Sequence, residues 1–169
     1  PLWSRGLGDV YKRQLLSLVA FTLLFSAKTY SQISVTATAG TLGPTAYTTL
    51  FAAVTAINGG VHQGNITVSV TGNTTETTQS ILNSSGTGLA SYTSILIKPA
   101  VGATPTIQGT IVPAILQLRG ADNVTIDGSN TVGGTSQDLT IRNNSATAAE
   151  TVIWIASAAA GNGATNNVV

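Results

Sequence analysis

Five charged side chains sit close enough along the chain to raise the question of a shared site: Asp122, Asp127 and Asp138, with Arg119 and Arg142. If successive passes of chain stack on one another, carboxylates at these spacings could share a face. There they could bind calcium or act as acid and base, while an arginine holds a sugar acid. The same residues have a plainer use. Asp122 precedes Asn123, Asp127 precedes Gly128, and Asp138 leads into an apolar run. At such places a short carboxylate side chain caps a turn through backbone N–H groups. The turn reading is the stronger one, so no residue is assigned as catalytic, cofactor-binding or metal-binding. His62 is the only histidine, and there is no cysteine. Alone it cannot build a zinc site or a triad, and between Gly59 and Gly64 it is expected in a loop. Trp154 alternates with Ile153 and Ile155, which points its ring outward, where it could stack on a sugar. The Asn-x-Ser/Thr sites at Asn65, Asn73, Asn83, Asn123 and Asn143 follow from a composition rich in Asn, Thr and Ser.

Composition narrows what must position these groups. Of 169 residues, 43% are hydrophobic and only 8% charged, with no Cys and no Met. That charged fraction is about a third of the roughly 25% usual in soluble domains. A formal charge of +1 excludes the broad basic footprint of a nucleic-acid binder. Absence of Cys excludes a disulfide scaffold and thiol catalysis. Residues 4–14 resemble a translated transposon-end sequencing adapter, and 1–14 are set aside as an artefact, which also accounts for the missing Met. The apolar run from Leu15 to Phe25 is 11 residues long. A membrane span needs about 20, whereas a signal-peptide core needs about 7–15. Thr29 and Ser31 stand at −3 and −1 of a cut before Gln32, so 15–31 is expected to be a helical signal peptide and the mature chain to be exported. From Gln32 onward three basic and five acidic residues leave a formal −2.

In the mature chain, clusters of three to five residues recur: 66–70, 95–97, 115–118, 124–126, 139–141 and 152–155. Their alternating apolar residues are the period-2 pattern of half-buried strands, and Gly/Asn/Asp turns bound them. One stretch differs. Leu50, Val54 and Ile57 fall at i, i+4 and i+7, Thr48 or Thr49 can cap the start, and Gly59 can end it, which predicts a short helix over 50–58. An antiparallel sandwich is disfavoured because Asp127-Gly128 has no strand directly after it. A repeat fits better: Leu118 to Ile155 is 37 residues and Val124 to Val168 is 44. One pass would then hold strands at 115–118, 124–127 and 139–142, and the next would begin at 152–155 and continue at 167–169.

The string from Leu118 to Gly128, Leu-Arg-Gly-Ala-Asp-Asn-Val-Thr-Ile-Asp-Gly, resembles the strand-turn-strand unit of right-handed parallel β-helix proteins. The wider stretch 33–169 is similar to the N-terminal region of large secreted β-helix proteins of the Bacteroidetes type. It has Ile33-Ser34-Val35-Thr36-Ala37-Thr38, Tyr47-Thr48-Thr49-Leu50 and Thr74-Thr75-Glu76-Thr77 at matching places. The resemblance implies a mostly β, right-handed parallel β-helix with a short N-terminal capping helix. It implies 32–64 as the N-terminal strand and capping helix, and 65–169 as coils of a fragment whose C-terminal remainder is missing. It also implies export, often by the type IX route with a C-terminal sorting domain. The expected function is an extracellular or cell-surface, adhesin-like scaffold that contacts surface polysaccharide, with no nucleic-acid partner, no cofactor and no membrane span in the mature chain. The alternative is the N-terminal part of a polysaccharide lyase or glycoside hydrolase whose catalytic coils lie beyond Val169, although the paired acidic motifs of polygalacturonase-like hydrolases are absent.

Overall fold

Short runs of Ile, Val and Thr cut by Gly and Asn favour strands, because branched side chains pack well on a pleated surface and the small residues turn the chain. The computed structural model describes residues 31–169, and among them are eleven strands and one helix. The adapter-like segment and positions 15–30 of the expected signal peptide lie outside the described residues. In chain order the elements are β1 (Ile33–Gly40), β2 (Thr45–Tyr47), α1 (Leu50–Asn58), β3 (His62–Val70), β4 (Thr74–Glu76) and β5 (Ser80–Asn83). Then follow β6 (Tyr92–Pro99), β7 (Thr106–Gly109), β8 (Ala114–Arg119), β9 (Val124–Ile126), β10 (Thr140–Asn143) and β11 (Thr151–Ala156).

These form three sheets: sheet A in the order β2-β1-β3-β6-β9, sheet B in the order β10-β7-β4, and sheet C in the order β11-β8-β5. From β3 on, the chain visits A, B and C in turn, three times, and each strand lies parallel to the one three before it. Ile66 pairs with Ile95 and Ile95 with Val124; Leu82 pairs with Leu118 and Leu118 with Ile155. Backbone groups are thus satisfied between passes, and alternate side chains turn inward. Ile66, Val68, Ile95, Ile97, Ile107, Leu116, Leu118 and Val124 are all buried in one apolar cluster. The 37-residue spacing in sheet C is the observed register. The 44-residue spacing is off by one, because Val168 bridges Thr125 and not Val124. The Asn167 amide bonds the preceding strand at this point: its Oδ1 accepts from Val124 N–H at 2.9 Å and its Nδ2 donates to Ala121 O at 2.8 Å. Asn123 and Asn166 then fall at equivalent points, and both adopt left-handed backbone, φ 57° and 55°.

The leading edges of all three sheets are covered. On sheet A, β1 pairs antiparallel with β3 (Ile33 opposite Val70) and with β2 (Ile33 opposite Tyr47). Where one N-terminal strand was expected within 32–64 there are two, β1 and β2, paired antiparallel, whereas the stacked strands are parallel. On sheets B and C the cover is α1. Thr49 Oγ1 caps it by accepting from Ala52 N–H, and Leu50, Ala53, Val54 and Ile57 are its buried face. Glu76 of β4 accepts from the Leu50 and Phe51 N–H groups at 2.9 and 3.0 Å. At the other end, the Asn58 side chain donates to Ile81 O and accepts from Asn83 N–H, satisfying the open edge of β5. An uncovered parallel edge would otherwise invite pairing with another chain.

Candidate functional site

The three aspartates do not converge. Asp127 Oδ1 accepts from Ser129 N–H at 2.8 Å and its Oδ2 from Gly133 N–H at 3.1 Å. These bonds, with a smaller pull from Lys98, hold its carboxyl below the usual carboxylate range. Asp138 Oδ2 accepts from Ser136 Oγ–H at 2.6 Å and Asn130 N–H at 3.0 Å, and is lowered for that reason. Beneath them the buried Lys98 donates to Asn130 O at 2.8 Å. The segment 127–138 is therefore a self-bonded polar loop between sheets A and B. Asp122 is elsewhere: its Oδ1 accepts from both the N–H and the hydroxyl of Thr165, at 2.6 and 2.7 Å, tying one pass to the next. Among the described residues no group of three or more His, Cys, Asp and Glu could hold a metal ion.

The two arginines part company as well. Arg142 reaches Gln108 Oε1 on sheet B, at 3.5 Å, while Arg119 donates to Asn83 Oδ1 on sheet C, at 2.7 Å. Both join neighbouring strands through an amide oxygen.

His62 corrects the loop expectation, since it is fully buried at the first position of β3. Thr41 O can only accept, so Nδ1, 2.6 Å away, carries the proton. Nε2 then accepts from the Tyr47 hydroxyl at 2.8 Å. The ring locks the β1–β2 turn to β3, and burial pushes the Tyr47 hydroxyl up. Its role is structural, and a sequence read without the antiparallel hairpin gives no sign of it.

Trp154 does point outward, 42% exposed. In register it continues a column of Ile81 and Gln117 on the outer face of sheet C. Beside this column runs an open groove of about 440 Å³ between α1 and β5, lined by Phe51, Thr78, Gln79, Ile81 and Arg119 among others. Sequence reasoning passed over Phe51 and Gln117. The signal for Gln117 was there, since Leu116 and Leu118 alternate inward around it just as Ile153 and Ile155 flank Trp154. Phe51 follows Leu50 on the helix, about 100° away from the buried face. A second groove, about 610 Å³, lies over sheet A between Leu96, Thr125, Val132 and Val168. The abundant Asn side chains bond backbone: Asn73 Oδ1 accepts from Thr106 N–H, and Asn143 brackets Ile111 from both sides.

No helix among the described residues is long and apolar enough to cross a membrane. No protein-family model, curated protein or solved structure matches the chain.

Proposed function

We propose that the chain is the N-terminal part of a secreted or cell-surface protein of the right-handed parallel β-helix type, an adhesin-like scaffold that contacts glycans without transforming them. The threefold succession of sheets A, B and C supports the coil reading. The right hand follows from the strong preference of parallel crossovers for it. Export rests on the signal-peptide pattern at 15–31 and on the resemblance to type IX-secreted proteins. The observation that carries the scaffold reading is the use made of the carboxylates. Asp122, Asp127 and Asp138 each hold backbone N–H groups of turns, and Glu76 holds the helix start. A general acid or base needs a carboxyl facing substrate, with a partner carboxyl within reach. The exterior left over, Thr, Ser and Asn on a charge-poor surface, suits hydrogen bonding to sugars.

The test is to incubate the 169-residue chain with immobilised acidic and neutral polysaccharides and assay the supernatant for new reducing ends and for unsaturated uronate absorbance. Retention on a polysaccharide with neither product is expected. Steady product release that Asp127→Asn or Asp138→Asn abolishes would overturn the scaffold reading and favour the lyase or hydrolase.

A further inference from the structure

Where strands stack in register, one inward position repeats from pass to pass, and its side chains can be compared directly. Thr74 of β4 pairs with Ile107 of β7, which pairs with Ile141 of β10. Ser80 of β5 pairs with Leu116 of β8, which pairs with Ile153 of β11. Both columns are aliphatic except in the first pass, the one α1 covers. There Thr74 is 2% exposed and Ser80 0%, yet neither hydroxyl has a hydrogen-bond partner. An unpaired buried hydroxyl is costly, and the aliphatic side chains in the passes below carry no such cost.

The same layer has acceptor sites to spare. Glu76 follows Thr74 on the inward side of β4 and is buried with it. A carboxylate offers about four acceptor sites, and the Leu50 and Phe51 N–H groups fill two of them. Neither hydroxyl reaches the carboxylate directly. Thr74 and Glu76 stand roughly 6.6 Å apart along the strand, and one water, at roughly 2.8 Å per bond, bridges most of that gap. From above, α1 closes the layer: its start bonds Glu76 and its end bonds Ile81 and Asn83 of β5, with Ser80 between.

We propose that α1 seals a buried water site in the first pass, where water accepts from the Thr74 and Ser80 hydroxyls and donates to the open sites of the Glu76 carboxylate. A water both donates and accepts, and a buried one makes about three such bonds. A metal ion would take hydroxyl lone pairs and leave the hydroxyl protons unpaired, so water fits this donor set better. Glu76 is thus solvated from below while it is bonded from above. The covering helix rests on a hydrated layer, whereas the later passes rest on aliphatic ones.

The experiment joins urea unfolding of the 169-residue chain and its variants to rotating-frame NOE spectroscopy, which detects bound water. Circular dichroism checks that each variant is folded. In the parent, direct water cross-peaks are expected at protons of Thr74, Glu76 and Ser80. Thr74→Val and Ser80→Ala should each lower the urea midpoint and weaken those peaks. Thr75→Val, on the exposed side of the same strand, should leave both nearly unchanged. A midpoint that either buried substitution leaves unchanged or raises would mean that its hydroxyl bonds no water, and would overturn the site. A lower midpoint with no water cross-peaks in the parent would reflect lost packing, and would overturn it as well. If a variant does not fold, the parent's cross-peaks alone decide. Replacing sodium by choline at constant ionic strength should not move the midpoint, and a fall would assign the site to a metal ion instead of water.

Discussion

Glu76 ties the start of α1 to β4, and its removal has a size that can be worked out. Its two carboxylate oxygens accept one backbone N–H each, from Leu50 and Phe51, and the residue is 2% exposed. Those are two of the donors that a helix start leaves without intrahelical partners. A hydrogen bond to a charged group contributes about 1.5–3 kcal/mol, and a negative charge at a helix start adds about 0.3–1 kcal/mol. Glu76→Ala removes both bonds and leaves the Leu50 N–H buried and unpaired. Allowing for non-additivity, the expected loss is about 3–5 kcal/mol. Glu76→Gln keeps one acceptor oxygen and loses the charge, so about half that loss is expected. Urea unfolding of the 169-residue chain reads this as a shift in midpoint at constant slope. Hydrogen exchange should also speed up first at Leu50, Phe51 and the β5 amides beneath the helix. An Ala variant within about 0.5 kcal/mol of the parent would refute the argument that this carboxylate holds the cover in place.

Two further perturbations test other parts of the reasoning. Asp127 and Asp138 have carboxyls held below their ordinary value of 3.8, so their contribution is complete above that value and is lost as pH falls through the lowered folded value. Loop 127–138 should therefore loosen only in strong acid, seen as faster exchange of the Ser129, Asn130 and Gly133 amides, and Asp127→Asn should flatten the Ser129 and Gly133 response. Gly109 sits between Glu76 and Asn143 in sheet B, and a Cβ there would lie 2.7 Å from Glu76 O and 3.0 Å from the Ile111 side chain. Gly109→Ala should cost about 1–3 kcal/mol by overpacking, read as a lower urea midpoint, and a neutral result would mean the strands can separate there.

What the sequence made legible was whatever depends on local pattern. Period-2 runs found six of the nine stacked strands and passed over the short β4, β5 and β7, while the i, i+4, i+7 spacing found α1 with its buried Leu50, Val54 and Ile57. The turn reading of the aspartates rests on immediate neighbours, and Asp127 does cap its own turn through Ser129 N–H, but Asp122 bonds Thr165 instead, 43 residues on, and Asp138 reaches back to Asn130. What stayed hidden is what only distant parts of the chain decide. Glu76 meets the helix across 26 positions, and His62 meets Thr41 and Tyr47 across 21 and 15. Neither distance carries any periodic signal. The antiparallel pairing of β1 with β3 stayed hidden for the same reason, since Ile33 faces Val70 from far along the chain.

Burial of the same alternation depends on neighbours, and sheet C makes that plain. Strand β8 has a parallel partner on each side, and Ala114 through Leu118 are all buried, even the outward Gln117. In β11 the order of side chains is the same and Ile155 stands in register with Leu118, yet Ile155 is 46% exposed. Inward direction alone therefore does not bury a residue; a strand on each side does. The outward column obeys the same rule. Gln117, flanked by Ile81 and Trp154, is 8% exposed, whereas Trp154 at the sheet's rim keeps 42% of its surface open.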